Sequence, residues 1–547
     1  MTPIDWLIVF VVNGAVIAYG IYLARGTETS SEWFLGGRAL PWWAVGLSMF
    51  ATNVDNADIV GVTGSTFKEG IHIVSVYAIG SVAGAILAAF FVVPKMYRAG
   101  FFTNAEYLEA RFGPSTRVLS ALIQLQYRSS MLGLILWSAH LLLTELVGMS
   151  TVQAWSLIVV LVIFAGFYTA FGGLRSVVWT DAAQGIVMMI AALIIFGTIW
   201  QAAGGWSGLT AELDRTGRTD MAHIGRYWGD DNATPPWMVV VAWTIIGSGY
   251  WTVNHTQTMR LMGARSLWDM KMAALFGVAL SLPIMLVSAS LGILARALPD
   301  FQFIPDAEAD TVYPLLANAF LGPGLKGIVV AGVVAAIVST FDSMGSALSA
   351  IFTRDIYARF LVRDRDDHHY VLVGRVATIG VLALGFLYLP FIAKQQNMIK
   401  AFTTLISVFA TPLLITYLAG VLTPAHRRSG LIGLVVGASY GVIALVDRQF
   451  FENEWLPSWF TTRWTSFGWS VLFTSLAIAV TTLRLGRQSQ DQLAETKDTG
   501  WLLRSREQLP PIREHPFSDR VPTWLNPVPW AVVCVAGSAY VVFVAFW

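Results

Sequence analysis

The stretch 331–357, AGVVAAIVSTFDSMGSALSAIFTRDIY, is the feature that most constrains how this chain can fold. It is an apolar segment of helical length with oxygen-bearing side chains at one helical spacing. The positions i, i+3, i+4 and i+7, which share one face of a helix, are Ala336, Ser339, Thr340 and Ser343, and Asp342 lies beside them. Such groups are costly within a bilayer unless something uses them. A small desolvated cation needs several oxygens, so the pattern predicts an ion-coupled transporter.

The composition is typical of a polytopic membrane protein. Hydrophobic residues make up 55% of the 547 and charged residues 13%, against about 25% charge in soluble domains. We expect an all-α, multi-pass protein of the cell (inner or plasma) membrane, in contact with the lipid bilayer and with no nucleic-acid partner. About 14 transmembrane helices are predicted, each near the roughly 20 residues that a span needs. The segments are 4–24, 42–66, 71–94, 118–147, 151–171, 176–202, 237–258, 272–298, 323–350, 370–393, 398–424, 429–447, 464–483 and 527–547.

Most lysine and arginine residues, Arg260 among them, fall in segments that share one side of the membrane if the N-terminus is outside. Because basic loops are cytoplasmic, we expect an N-out and C-out protein. Residues 203–236 are then an external loop with a short surface helix, and 485–526 a cytoplasmic linker. The one cysteine, Cys534, excludes an intramolecular disulfide and a cysteine-based metal cluster.

The second segment, 42–66, is interrupted in its middle. The sequence TNVDNAD (52–58) places two carboxylates, Asp55 and Asp58, and two amides between apolar halves. Both halves are needed to reach the length of a span, so we expect a broken helix that lines a cavity and frees backbone groups as ion ligands. The alternative is that the helix ends at Phe50 and that Asp55 lies in an ordinary loop.

Four motifs follow one another along nearly the whole chain. They are LGGRALPWW (35–43), FTNAEYLEARF (102–112), YTAFGGLRSVVWTDAAQ (168–184) and IVSTFDSMGSALSAIFTRDIY (337–357). Together they resemble the sodium:solute symporter family, in which a FLAGRSLPWW-type lead-in, T-x-x-E-Y-L-x-x-R-F, Y-x-x-x-G-G-x-x-x-V-x-W-T-D-x-x-Q and I-V-S-S…F-T-x-D-I-Y stand in this order. The family includes sodium/glucose cotransporters, proline permeases and sialic acid symporters.

The resemblance implies a five-plus-five inverted repeat whose first core helix is broken, with one extra helix before it and three after it. We therefore expect a single transmembrane transporter domain over 1–547. Its parts would be an extra N-terminal helix (4–24), an inverted-repeat core (42–424) and C-terminal helices (429–547) that include the linker 485–526.

The resemblance also implies sodium ligands. For the principal sodium site they are the carbonyls of Ala51, Val54 and Ala336 and the hydroxyls of Ser339 and Thr340. For a second site, which some members carry, they are Asp181, Ser339, Asp342 and Ser343. The alternatives are that the hydroxyls only bond the carbonyl four residues earlier, and that the carboxylates serve local arginine or backbone partners. Asp342 could also titrate and allow proton coupling.

The solute positions of the sugar-transporting branch are filled differently in this chain. The matching residues are Asp58, Tyr77, Gly80, Gly247 and Ser281. The Gln, Glu, Asn and Lys of that branch are absent, and lost partners are costly for a buried hydroxyl, so galactose-like recognition is disfavoured. Asn53 and Asp55 of the interrupted segment are also expected to face the solute. Tyr250 and Trp251 match an aromatic pair that caps the substrate from inside, with ordinary packing as the alternative.

Arg128 lies within the hydrophobic segment 118–147, and an intramembrane arginine is a functional candidate. Three roles are open: it binds an anionic solute, it pairs with Asp55 or Asp58, or it extends to the interface. In the sialic acid branch an arginine on this helix grips the carboxylate, but an ungapped alignment puts Arg128 one turn earlier.

These observations predict a secondary active transporter rather than an enzyme. It would be a sodium-coupled symporter that imports a small polar organic solute (sugar, carboxylate or amino-acid-like) by alternating access. Sodium is expected as the coupling ion, with no organic cofactor and a monomeric functional unit. The main alternative is proton coupling through Asp342 and Asp181. An intramembrane enzyme is disfavoured because no nucleophile–base pair or metal triad is evident, and a sensor because the linker 485–526 is too short for a signalling domain.

Overall fold

The computed structural model describes residues 1–23, 29–229, 232–394, 398–451, 455–488, 509–517 and 521–547. Over these residues the chain is helical and has no β-strand. The main helices, numbered in chain order, are α1 (Pro3–Leu23), α2 (Trp42–Asn53), α3 (Asn56–Glu69), α4 (Ile71–Ala99), α5 (Asn104–Phe112), α6 (Pro114–Leu146), α7 (Thr151–Ala202), α8 (Pro236–Val253), α9 (His255–Met262), α10 (Leu267–Ala297), α11 (Val312–Phe320), α12 (Leu325–Leu361), α13 (Asp367–Ile392), α14 (Met398–Leu422), α15 (Ser429–Phe450), α16 (Thr465–Leu485) and α17 (Pro527–Ala545).

The described residues contain ten helices that are long and apolar enough to cross a membrane, and α14, bent by 47°, makes eleven. The predicted number of fourteen is therefore not confirmed. The difference comes from breaks within predicted segments. The segment 42–66 is divided into α2 and α3, and 237–258 into α8 and α9, and none of these four helices is among the ten. The predicted segments 151–171 and 176–202 lie on either side of a break at Gly173 (φ 57°, ψ −160°), and the two together, as α7, make one of the ten helices.

The interruption of the second segment is a true helix break. Helix α2 ends at Asn53, and Val54 (φ −119°, ψ 80°) and Asp55 (φ −94°, ψ 178°) leave the helical region. The Asp55 carboxylate then accepts a hydrogen bond from the Asp58 amide at 2.9 Å and caps α3. The broken helix is thus confirmed, and the ordinary loop is excluded because a new helix starts at once.

Helix α12 lies at the centre of the molecule. It packs against α1, α2, α7 and α13, and every residue from Val329 to Ile351 is buried. This burial follows from the sequence, because hydroxyls and a carboxylate in lipid would have no partners. In contrast, α1 and α17 keep most of their apolar residues on the outer surface.

The two predicted polar segments differ in how much of them the structure describes. The expected surface helix of 203–236 is Gly205–Arg215. Of the linker 485–526, residues 489–508 and 518–520 lie outside the described residues. The described part touches the membrane domain, because the amides of Leu267 and Trp268 donate to the carbonyls of Arg513 and Glu514 at 3.0 and 2.9 Å.

Candidate cation and solute site

The break between α2 and α3 lies against the oxygen-rich face of α12. The hydroxyls of Thr52 and Ser343 are 3.1 Å apart. At the end of a helix the last carbonyls have no amide partner within the helix. Two of them find partners elsewhere: the Phe50 carbonyl accepts from the Val54 amide at 3.0 Å, and the Thr52 carbonyl accepts from the Tyr250 hydroxyl at 2.9 Å. The five predicted ligands of the first sodium site are all fully buried: Ala51, Val54, Ala336, Ser339 and Thr340.

The two hydroxyls of this predicted site both act as donors. Thr340 donates to the Ala336 carbonyl at 2.9 Å, and Ser339 donates to Asp181 at 2.6 Å. The Thr340 bond is the local bond that the sequence left as an alternative. A hydroxyl that donates its hydrogen retains oxygen lone pairs, so this geometry is compatible with a cation ligand.

Asp181 is the centre of a buried polar cluster that joins four helices. Its carboxylate accepts hydrogen bonds from Ser48 at 2.6 Å, Ser339 at 2.6 Å and Ser343 at 3.3 Å. It also pairs with Arg260 at 2.7 Å, with both side chains fully buried. Arg260, which the sequence analysis placed among the cytoplasmic basic residues, lies within α9 in the protein interior.

Every nitrogen of the Arg260 guanidinium has a hydrogen-bond partner. Besides Asp181 it donates to Ser48 at 2.6 Å, to the Thr256 carbonyl at 2.5 Å and to Ser343. The second predicted sodium site is thus assembled in part, since Asp181, Ser339 and Ser343 meet. A fixed cation, Arg260, already neutralises its carboxylate.

Asp342, the fourth residue of that predicted site, lies at the edge of the cluster. Its carboxylate accepts a hydrogen bond from the Tyr168 hydroxyl and another from Ser343 at 3.3 Å. Tyr168 and Asp342 are both buried. Asp342 is therefore held by α7 and its own helix and does not pair with Arg260.

Sequence reasoning missed Arg260, Ser48 and Tyr168. One signal was available for Ser48: it lies four residues before Thr52 and so shares its helix face. Tyr168 is the first residue of the third motif, but nothing in the motif indicates its partner. For Arg260 no local signal existed, because its partners are on α2, α7 and α12.

A cavity of about 70 Å³ lies next to the break. Of the nine predicted solute-site residues, seven line it: Asn53, Asp55, Asp58, Tyr77, Arg128, Gly247 and Tyr250. The other lining residues are mainly apolar and include Ile73, Val76, Met131, Leu134, Ile135, Trp243, Ile246, Met344, Met398, Ile399 and Phe402.

Trp251 and Ser281 are not among the residues that line this cavity. Trp251 is fully buried, next to Gly84 and Gly277. Ser281 donates to the Gly277 carbonyl of its own helix at 2.8 Å. Both residues lie on the sides of their helices that pack on other helices, so we do not include them in the solute site.

Gly247 lines the cavity without offering a side chain. A Cβ atom on Gly247 would lie 2.5 Å from the backbone carbon of Gly80, because α4 and α8 touch through their backbones here. Close backbone approach at glycine is common where membrane helices pack. Gly80 and Gly247, both matched to polar residues of the sugar branch, therefore serve helix packing.

Three charged side chains line the cavity. Asp58 accepts a hydrogen bond from the Tyr77 hydroxyl at 2.7 Å. Arg128 is 2% exposed, and its Nε and Nη2 atoms have no hydrogen-bond partner. Its guanidinium lies 5.4 Å from the ring centre of Tyr127 and 5.6 Å from that of Tyr250. Of the three roles considered for Arg128, extension to the interface does not occur.

Two parts of the cavity wall are tied to other segments of the chain. The Tyr250 hydroxyl donates to the Thr52 carbonyl and accepts from Gln257 at 3.3 Å. Met398, Ile399 and Phe402 of α14 also line the cavity. There the Met398 amide donates to Asp310 at 2.9 Å. Asp310 lies between the predicted spans 272–298 and 323–350, and burial raises its pKa to about 7.

A broken apolar helix, an oxygen-rich helix against the break and a charged cavity beside it define a transporter of the ion-coupled, inverted-repeat class. Residues 33–437 match the model of the sodium:solute symporter family. The chain belongs to the sodium:solute symporter family, and it is a multi-pass membrane protein that couples solute movement to sodium.

Two curated relatives and one solved structure show how the chain compares. The sodium/glucose cotransporter of Vibrio parahaemolyticus is 28% identical over 522 residues, which cover 89% of this chain and 92% of the relative. The human sodium/myo-inositol cotransporter 2 is 28% identical over 467 residues, covering 79% and 68%. The substrate-bound outward-open state of a Na⁺-coupled sialic acid symporter has a TM-score of 0.76 at 20% identity, covering 89% and 99%. This likeness confirms the predicted fold.

Proposed function

We propose that the protein imports a small polar organic solute together with sodium by alternating access, with the solute in the cavity beside the α2–α3 break. The observation that carries this proposal is the contact of the break with α12 at Thr52 and Ser343. Membership of a transporter family is consistent with the expectation that the chain is not an enzyme. A monomeric unit without an organic cofactor remains part of the proposal.

The sodium ion would bind to the carbonyls of Ala51, Val54 and Ala336 and the hydroxyls of Ser339 and Thr340. Sodium there would hold the broken helix against α12. The residues that follow in the break, Asn53, Asp55 and Asp58, line the cavity, so ion binding would complete the solute site. This order of events couples the two ligands without a direct contact between them.

We further propose that one sodium ion accompanies each solute. The Asp181 cluster, which corresponds to a second sodium site of some family members, already contains the Arg260 guanidinium. A second cation would have to displace that guanidinium or share Asp181 with it. Each sodium entering down a potential of about 100 mV releases about 2.3 kcal/mol, which supports an accumulation of roughly a few tens-fold.

Alternating access would use an outer closure at α14 and an inner closure at Tyr250 in turn. The outer closure at Met398 and Phe402 would form over the loaded site, and the bond from Tyr250 to the Thr52 carbonyl would then break. Since Thr52 belongs to the break that sodium stabilises, ion release and inner opening would be linked. Loss of sodium to a low-sodium cytoplasm would release the solute.

The test is equilibrium binding of ²²Na⁺ to the purified protein, comparing wild type with Ser339→Ala. We expect saturable binding that the substitution weakens at least about ten-fold, since a lost ligand is worth on the order of 1.5–3 kcal/mol. Ser349→Ala is the matched control, because Ser349 is also buried on α12 and donates to the Ser346 carbonyl. Unchanged sodium affinity in Ser339→Ala would contradict the proposed site. No sodium binding at neutral pH, with solute uptake driven by a pH gradient, would favour proton coupling through Asp342.

A further inference from the structure

We propose that the solute is a small zwitterion, with its carboxylate on Arg128 and its cationic nitrogen on Asp58. The inference rests on the proposed function, in that it takes the central cavity as the solute site. It goes further by naming the chemical class of the solute. The cavity brings Arg128, Asp55 and Asp58 together on one enclosed surface.

The Arg128 guanidinium lacks the partners that a buried cation requires. Two of its nitrogens, Nε and Nη2, are buried without a hydrogen-bond partner. Burial of a charge is costly unless it is paired and hydrogen-bonded. A carboxylate accepts two parallel hydrogen bonds from one guanidinium. A solute carboxylate would therefore supply the hydrogen-bond acceptors that the protein does not provide for Nε and Nη2 of Arg128.

The acidic side of the cavity is organised by the start of α3. Asp55 caps this helix by accepting from the Asp58 amide, and Tyr77 donates to Asp58 at 2.7 Å. Two carboxylates in one enclosed space repel each other, and a cation between or beside them relieves that repulsion. An ammonium group of the solute fits this role because it has only donors to offer.

The balance of charge separates the candidate solutes. A neutral polyol leaves Arg128 unpaired and two carboxylates facing each other. A simple carboxylate satisfies Arg128 but adds a third negative charge, and a simple amine leaves Arg128 unpaired. Only a solute with both charges serves both sides of the cavity. The remaining wall, which includes Val76, Met131 and Ile135, is apolar and suits a hydrocarbon body.

The test measures ²²Na⁺ uptake into proteoliposomes that contain the wild-type protein, with solutes matched in skeleton. L-Valine carries both charges, 3-methylbutanoate only the carboxylate and isobutylamine only the amine. L-Proline and glycine betaine extend the zwitterions, and glucose and myo-inositol represent neutral polyols. We expect at least one zwitterion to stimulate sodium uptake on the order of ten-fold more than any singly charged or neutral compound.

The outcomes distinguish this inference from the proposed function. Stimulation by a polyol or by 3-methylbutanoate, without stimulation by any zwitterion, would overturn the zwitterion and leave sodium-coupled symport intact. If no compound stimulates uptake, the zwitterion is overturned as well. Saturable ²²Na⁺ binding in the absence of solute then reports separately on the coupling ion.

Two substitutions assign the two ends of the solute. Arg128→Gln should raise the half-saturating concentration of the zwitterion by roughly 10- to 100-fold and should improve isobutylamine relative to it. Asp58→Asn should instead improve 3-methylbutanoate relative to the zwitterion. Arg175→Gln and Asp214→Asn are the matched controls, since both side chains are exposed. Retained sodium binding shows that each variant is folded, and unchanged selectivity in both cavity variants would overturn the assignment.

Discussion

Two buried arginines, Arg128 and Arg260, have opposite surroundings. Arg260 is fully buried and donates to Asp181, Ser48, Ser343 and the Thr256 carbonyl. Arg128 is almost as buried, but two of its nitrogens have no hydrogen-bond partner, and its guanidinium lies near the rings of Tyr127 and Tyr250. Arg260 joins four helices through its hydrogen bonds, whereas Arg128 faces a cavity.

The comparison teaches that burial alone does not identify a binding residue. A buried cation whose hydrogen bonds are complete has no capacity for a ligand, and its removal should damage the fold. A buried cation with unused donors is destabilising until something binds. The two arginines should therefore respond to the same substitution in opposite ways.

The largest effect is expected for Arg260→Gln. Removing one partner of a buried ion pair leaves Asp181 uncompensated, which costs about 3–5 kcal/mol. Thermal unfolding in detergent, followed by tryptophan fluorescence, should show a clear loss of stability. Added sodium should restore part of the lost stability, because without the Arg260 guanidinium the cluster of Asp181, Ser339 and Ser343 is free to bind a cation. The double variant Asp181→Asn/Arg260→Gln should be more stable than either single variant. If its loss of stability equals the sum of the two single losses, Asp181 and Arg260 do not stabilise the fold as an ion pair.

Next in size is the effect of Thr340→Val on sodium affinity. Valine keeps the shape of threonine but removes the hydroxyl that donates to the Ala336 carbonyl. If that hydroxyl is a sodium ligand, the half-saturating sodium concentration should rise roughly 10- to 100-fold. Thr378→Val is the control, as Thr378 is buried on α13 and donates to the Gly374 carbonyl in the same way. Equal sodium dependence in the two variants would mean that the hydroxyl of Thr340 serves only its own helix.

A smaller effect is expected for Tyr250→Phe, which removes the bond to the Thr52 carbonyl. A neutral hydrogen bond is worth roughly 0.5–1.5 kcal/mol, so the inward-facing population should rise about two- to ten-fold. The measurement is maleimide labelling of Asn53→Cys from the cytoplasmic side, in a Cys534→Ser background that removes the one native cysteine. Tyr77→Phe is the control, because it removes a hydroxyl from the same cavity without touching Thr52. Faster labelling in both variants would assign the change to loosened packing instead of the gate.

The smallest effect is expected for the stability of Arg128→Gln. Because no ion pair is broken and an unpaired guanidinium is removed, the free energy of unfolding should change by less than about 1 kcal/mol or should increase. The same unfolding assay as for Arg260→Gln gives the comparison directly. A loss as large as that of Arg260→Gln would show that Arg128 has a structural partner and would weaken its assignment to the solute.

Much of the fold was readable in the sequence, since the spacing on α12 and the polar interruption after Phe50 are local patterns. The rotation of each helix about its own axis was harder to predict from the sequence. Tyr250 and Trp251 are neighbours, yet only Tyr250 lines the cavity, and an alignment cannot show which side of α8 faces inward. The predicted number of spans was not confirmed for a related reason, because breaks at Val54, Gly173 and Asn254 interrupt apolar segments without changing their hydropathy.

The Asp181 cluster could not have been predicted. Its residues come from α2, α7, α9 and α12, and each looks ordinary in its own segment. Only the fold shows that Arg260 reaches Ser48 and Asp181. The proposed sodium ligands on α12 could be predicted from their spacing along one helix, whereas a polar cluster drawn from four helices could not.

The backbone contact between Gly80 and Gly247 limits how this protein can acquire new specificity. At that point the cavity wall has no side chain, and a Cβ atom on Gly247 would collide with the backbone of α4. Mutational routes to a new solute are therefore blocked on this wall and remain available on the others. A directed-evolution library is best confined to positions such as Ser81, Met131 and Ile135, where a change of side chain reshapes the cavity while α4 and α8 stay in contact.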